Sequence, residues 1–185
     1  MFGTGIVKNK SEKGDYAESL VNNYLLLNGY ECFTPSGLKA HLFDGMALRK
    51  IDNIELFLYD VKSKAARNFH KDTGVDLKHF KHYMEMVKFF NKKFYVYFVD
   101  EELGYIYKQN LNEYYNNKYI TYNDEDDIVY PKIENNEYIY FSLETMIKVR
   151  KLTKEERIIL RGFSKTTNKN YKFNPIWKEQ KLFKD

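Results

Sequence analysis

A single cysteine, Cys32, stands among 185 residues. An intramolecular disulfide is excluded, and a reducing compartment is the expected setting. No stretch reaches the run of about 18 apolar residues that a membrane-crossing helix needs. The opening MFGTGIVKNK lacks the apolar core of a secretory leader. These absences predict a cytoplasmic protein. No glycine-rich phosphate loop is present, so a nucleotide cofactor finds no support. No nucleophile elbow occurs either. His41, His70 and His82 have no zinc-ligand spacing. Internal repeats and a clear domain boundary are also missing.

What remains is a chain of single-domain length with 43% apolar residues, enough for a real core. Tyr and Phe are abundant, at 17 and 14. Both favour strands, and most must serve packing, though both also stack on bases. The net charge of +4 is unevenly spread. Residues 148–185 hold twelve Lys or Arg against four Asp or Glu, or +8, which leaves −4 for residues 1–147. Phe163, Tyr171, Phe173, Trp177 and Phe183 interleave with that basic run. The combination suits a phosphate-bearing partner. A solvated tail is the equal alternative.

Periodicity predicts the elements. Residues 1–13 read as a loose leader. Asp15 then caps a helix to about Asn28, with the stripe Ala17, Leu20, Val21, Tyr24 and Leu27. A short strand follows over 31–34, ended by Pro35-Ser36-Gly37. Two strands, about 41–49 and 54–63, flank a turn at 50–53. A polar loop over 65–74 precedes a helix over 75–91. Strands at 94–99 and 105–111 come next. Residues 112–137 read as an insertion with one short strand, and its acidic run 124–127 as a solvated loop. A strand at 138–141, a helix over 142–151 and a last helix with the capping box Thr153-x-x-Glu156 complete the chain. The class is α/β with a central mixed sheet flanked by helices and an α-rich C-terminal end. The expected organisation is a core over 1–150, with 151–185 as a basic, aromatic helix and tail.

The third strand carries the main chemical signal. Its even face reads Ile54, Leu56, Leu58, Asp60, Lys62, Lys64, and its odd face Glu55, Phe57, Tyr59, Val61, Ser63. Both faces are apolar through the middle, as in a strand covered on both sides. The even face then turns abruptly to a carboxylate and an ammonium. On the preceding strand, Asp44 shares a face with Leu42, Met46 and Leu48. A hairpin centred on residue 52 sets Asp44 opposite Asp60, with Cβ atoms roughly 5 Å apart. Two such carboxylates repel unless a cation joins them. Mg²⁺ suits the oxygens and keeps waters that a phosphate can replace. Lys62 would orient or deprotonate a water, or stabilise charge on a phosphate. The competing reading makes Asp44-Gly45 a hairpin turn.

The set resembles the PD-(D/E)XK, or restriction-endonuclease-like, nuclease superfamily, which includes Holliday junction resolvases. The matching parts are an acidic helix with Glu18, a hairpin with Asp44 and then Asp60-Val61-Lys62, a helix and a strand, over about residues 14–111. Phe43 stands where the family often has proline. Residues 74–107 resemble the phage and bacterial branch. The resemblance implies Mg²⁺, with Mn²⁺ able to substitute, held by Asp44, Asp60 and the Val61 carbonyl, with Glu18 reaching it through water. It makes Asp44, Asp60 and Lys62 catalytic, DNA the partner, and a homodimer one assembly open to the chain. It implies an endonuclease more than an exonuclease.

Other residues keep two readings. Asp15-x-x-Glu18 also fits a capping box. His79 and Tyr83 occupy a place where some relatives use Gln-x-x-x-Tyr to support substrate or metal. Here they also fit a boundary residue and a core residue. Lys64, Arg67 and Lys71 would contact phosphates, or stand as solvated loop charges. The alternative to an enzyme is an inactive nuclease-fold protein that binds DNA or a protein partner in a regulatory or anti-defence role.

Overall fold

The computed structural model describes residues 4–35, 41–50, 54–115 and 130–164. Helix α1 (Thr4–Leu27) leads to strands β1 (Glu31–Phe33), β2 (Gly45–Lys50) and β3 (Ile54–Lys62). Strand β4 (Asp72–Asp76) runs directly into helix α2 (Leu77–Phe90). Strands β5 (Lys93–Asp100) and β6 (Tyr105–Asn110) and the short helix α3 (Asn112–Tyr115) follow. Strands β7 (Lys132–Glu134), β8 (Tyr138–Ser142) and β9 (Ile147–Lys151) precede helix α4 (Lys154–Ser164).

Six strands form one sheet in the order β1-β2-β3-β5-β6-β9. Only β3 and β5 pair in parallel, so the sheet is mixed. These two are the most apolar strands, and α2 makes the crossover between them. Each face of the pair is buried. Leu58, Phe94, Val96 and Phe98 pack with Tyr83 and Val87 of α2. Phe57, Tyr59, Val61, Tyr95 and Tyr97 pack with Ala17, Leu20, Val21 and Leu25 of α1 and Leu160 of α4. Parallel strands need such double cover, and the continuous apolar runs supply it. Among the described residues no helix is long and apolar enough to cross a membrane.

The expected hairpin register holds. Gly45 pairs with Tyr59, Ala47 with Phe57 and Lys50 with Ile54. The Thr153 box also forms: Glu156 N–H donates to Thr153 Oγ1 at 3.2 Å, and Thr153 N–H to Glu156 Oε2 at 2.8 Å.

Several expectations are corrected. Helix α1 begins at Thr4, so residues 4–13 are not a loose leader and Asp15 is interior rather than a cap. No proline interrupts residues 4–14, and the two glycines there, Gly5 and Gly14, cost a helix only about 1 kcal/mol each. The buried stripe runs through Leu25, one i+4 step from Val21, and leaves Leu27 exposed. Strand β2 starts at Gly45 and not at 41. Part of the expected polar loop is β4, which pairs with β8 from Asp72↔Ser142 to Asp76↔Tyr138. Together with β7 these form a second, three-stranded sheet. The expected helix over 142–151 is a turn followed by β9, which pairs with β6. Its alternating β-branched Ile147 and Val149 suit an edge strand. The acidic run 124–127 and the basic tail beyond 164 lie outside the described residues.

Candidate active site

The site forms where β2 stops and β3 continues. The last β2–β3 pair is Gly45↔Tyr59, yet β3 runs on through Asp60, Val61 and Lys62, still paired with β5 at Val96, Tyr97 and Phe98. Among the described residues, one edge of these three therefore has no strand beside it. Asp44 closes that edge with its side chain. Its N–H donates to the Tyr59 carbonyl at 3.1 Å, and its Oδ2 accepts the Val61 N–H at 2.7 Å. The carboxylate thus takes the ladder donor that a longer β2 would have taken with a carbonyl.

Gly45 is glycine for room and not for a turn. A Cβ there would lie 2.4 Å from Tyr59 Oη and 2.5 Å from Cζ, and the residue has no positive φ. The Tyr59 ring crosses this gap, and its hydroxyl donates to Asn22 Oδ1 of α1 at 2.6 Å. The hairpin-turn reading of Asp44-Gly45 is therefore set aside.

Asp60 is 4% exposed, the polar end of an apolar stripe. Its Oδ2 accepts from the Tyr83 hydroxyl at 2.9 Å and lies 2.6 Å from Lys62 Nζ. Tyr83 is buried on α2 and stacks on Phe94 at 4.9 Å between ring centroids. Burial, and then the Asp60 charge, hold the Tyr83 hydroxyl firmly protonated. Tyr83 is thus both core and part of the site.

Asp44 and Asp60 sense each other. Burial first, then the Asp60 charge, push the Asp44 carboxyl up to about 7, against the Val61 N–H and Lys62, which pull it down. Glu18 adds to the same field. Its carboxyl is raised by burial, then by Asp15 and Asp60, with Lys62 opposing. Helix α1 therefore brings a third acid into electrostatic range of the pair.

The fold is similar to that of a known resolvase. The solved structure is Hjc, a Holliday junction resolvase from the archaeal hyperthermophile Archaeoglobus fulgidus. The TM-score is 0.49 at 9% identity, over 74% of this chain and 96% of that one. No family model and no curated protein matches the sequence. At that score the likeness assigns no residue a role, and the chemistry rests on the geometry of this chain.

Donor chemistry tests whether a divalent ion fits. Among the described residues, no three His, Cys, Asp or Glu side chains form a ready-made cluster. Asp44 and Asp60 each commit Oδ2 to protein partners and leave Oδ1 without a hydrogen bond among the described residues. Two hard oxygens suit Mg²⁺, which keeps several of its waters and needs few protein ligands.

The remaining expected residues separate into groups. His79 is half exposed, with Nδ1 3.5 Å from Asp76 Oδ2 and its ring 6.4 Å from that of Tyr83. Among the described residues it makes no contact with Asp60 or Asp44. Arg67 is engaged within the fold: it binds Asp72 through two nitrogens, at 2.6 and 2.5 Å, and Glu134 at 2.8 Å. Lys71 pairs with Glu144. Lys64, on the face of Lys62, lines a cleft beside β4 and β8. Sequence reasoning missed Asp100. This buried carboxylate accepts the Ala66 N–H at 2.7 Å and the Glu102 and Leu103 N–H groups at 2.8 Å each. It ties the segment that leaves Lys62 to the β5–β6 turn, and burial pushes it up to about 6. Its local signal, an Asp before a turn, says nothing of Ala66, which is 34 residues away.

Proposed function

We propose that this chain is a Mg²⁺-dependent nuclease that hydrolyses DNA phosphodiester bonds, as an endonuclease. The observation that carries the reading is the notch at the end of β3. There Asp44 and Asp60 stand in one electrostatic field, each with an uncommitted oxygen, and Lys62 lies 2.6 Å from Asp60. Asp44 and Asp60 would hold the ion, with the Val61 carbonyl beside them and Glu18 reaching it through water. Mn²⁺ would serve in its place. When bound, the ion supplies positive charge to a phosphodiester and makes water a better nucleophile.

The chain's own residues do the rest. The Val61 N–H fixes the Asp44 rotamer, and the Tyr83 hydroxyl fixes that of Asp60. Side chains held this way meet substrate without reorganising. Lys62 adds the positive charge that a phosphate gains from as negative charge builds on it. The surrounding apolar faces limit water and strengthen each of these interactions.

Cleavage of labelled duplex, single-stranded and four-way-junction DNA tests the reading, with Mg²⁺ or Mn²⁺ and with EDTA. Metal-dependent cutting by the wild type is expected, reduced by roughly 100-fold or more in Lys62→Ala. Full single-turnover activity in Asp60→Ala would overturn it.

One observation favours a second reading. Lys62 and Asp60 form a closed ion pair, as suits a non-catalytic nuclease fold that binds DNA or a protein. Thermal shift separates the two: stabilisation by Mg²⁺ or Mn²⁺ that Asp44→Asn loses belongs to the enzyme.

A further inference from the structure

Helix α1 packs on β3 through apolar side chains. Ala17, Leu20, Val21 and Leu25 are buried against Phe57, Tyr59 and Val61. Apolar burial has no direction of its own, whereas a hydrogen bond has one. Among the described residues, one side-chain hydrogen bond joins the two elements: the Tyr59 hydroxyl donates to Asn22 Oδ1 at 2.6 Å. The other flank of α1 is tied separately. Lys13 pairs there with Glu101 at 2.6 Å, and the Leu20 carbonyl accepts from Arg150 at 3.4 Å. Two positions apart, Leu20 and Asn22 lie on nearly opposite sides of the helix.

The Asn22–Tyr59 clamp adjoins every acid of the notch. Gly45 follows Asp44, Tyr59 precedes Asp60, and Asn22 lies one turn past Glu18 on the same flank of α1. A Cβ at position 45 would collide with the Tyr59 hydroxyl, so glycine there lets the ring reach α1. Burial first, and then Cys32, Asp44 and Glu18, raise the Tyr59 hydroxyl above its ordinary value, so the clamp stands in the field of both acids.

The three acids differ in what holds them. The Val61 N–H fixes Asp44, and the Tyr83 hydroxyl fixes Asp60. Glu18 is partly buried and makes no hydrogen bond or ion pair among the described residues, so its placement comes from α1 alone. A group that acts on an ion through water depends on being held in place. We infer that Tyr59 and Asn22 are positioning residues of the metal site: their hydrogen bond sets the rotation of α1 and so keeps the Glu18 carboxylate turned toward Asp44 and Asp60. The inference rests on the nuclease reading and names what places its third acid.

The test is calorimetric titration of Mg²⁺ and of Mn²⁺ into the full-length protein. Wild type, Glu18→Gln, Tyr59→Phe and the double variant form one cycle. Glu18→Gln should weaken binding roughly tenfold. Tyr59→Phe keeps the ring and should weaken it nearly as much. The double variant should bind no more weakly than Glu18→Gln, because the clamp acts only through Glu18. Asn22→Ala should repeat the Tyr59→Phe result, and it carries the test if thermal unfolding shows Tyr59→Phe to be unfolded. Tyr30→Phe removes a hydrogen bond of the same kind, to Glu55 and away from the notch, and should leave metal affinity unchanged. Losses that multiply in the double variant, or wild-type affinity in both clamp variants, overturn the inference and leave the nuclease. An equal loss in Tyr30→Phe overturns it as an effect of stability alone. Wild-type affinity in Glu18→Gln removes Glu18 and the clamp from the site and leaves Asp44 and Asp60. No metal binding by the wild type overturns both readings.

Discussion

The Val61 N–H donates to Asp44 Oδ2 at 2.7 Å, one step past the last β2–β3 pair. An acid that repels its neighbour is thereby built into the sheet. The backbone bond holds Asp44 beside Asp60 although burial and the Asp60 charge favour a proton on it.

That conflict predicts a pH dependence. The Asp44 carboxyl is raised by folding from the ordinary value of 3.8 to about 7. Its contribution to stability is complete below pH 4 and is lost as pH rises through 7. Asp44→Asn keeps an acceptor for Val61 and has no charge to lose. At pH 8, without divalent ions, Asn should therefore stabilise the fold by on the order of 1–2 kcal/mol, after allowance for the solvent that reaches the group. Near pH 4 the two proteins should unfold alike. Urea titrations across this range check it, and an equal gap at both ends would refute it.

The same proton competes with a cation. Mg²⁺ affinity should rise roughly tenfold per pH unit below 7 and level off above it. Calorimetric titration at several pH values reads this directly, and a flat profile would separate Asp44 from metal binding.

Tyr83→Phe removes one donor from the Asp60 carboxylate and leaves the Phe94 stack in place. The expected loss of stability is about 1.5–3 kcal/mol, typical of a hydrogen bond to a charged acceptor. Cleavage at saturating Mg²⁺ should fall by roughly ten- to a hundredfold, because Asp60 is no longer held in one rotamer. A stability loss with unchanged kcat would give Tyr83 a purely structural part.

Gly45→Ala sets a methyl group into the Tyr59 ring. Overpacking of this kind costs about 1–3 kcal/mol. The added Tyr59→Leu change should recover part of it. A double-mutant cycle on thermal unfolding measures the coupling, and strict additivity would show that the two side chains do not meet.

The core of the site was legible because its logic is local. A short connection joins the two strands that carry Asp44 and Asp60, and a period of two assigns their faces, so register and facing follow from spacing. The Thr153 box was legible for the same reason, since both of its partners lie within one turn. The start of α1 was not, because Gly5, Gly14 and polar residues read as loop until a long helix carries through them.

By itself, the sequence determined that Asp60 and Lys62 end a doubly apolar strand, with Asp44 across from them. Only the tertiary structure decided that β4 exists, that its partner is β8, and that Tyr138, Tyr140, Thr73 and Lys64 line one cleft. Those pairings join segments more than sixty residues apart, Asp72 to Ser142 at one end. The closure entropy of such loops is met by burial of Ile139 and Phe141 against the core, a gain that no short window of sequence contains.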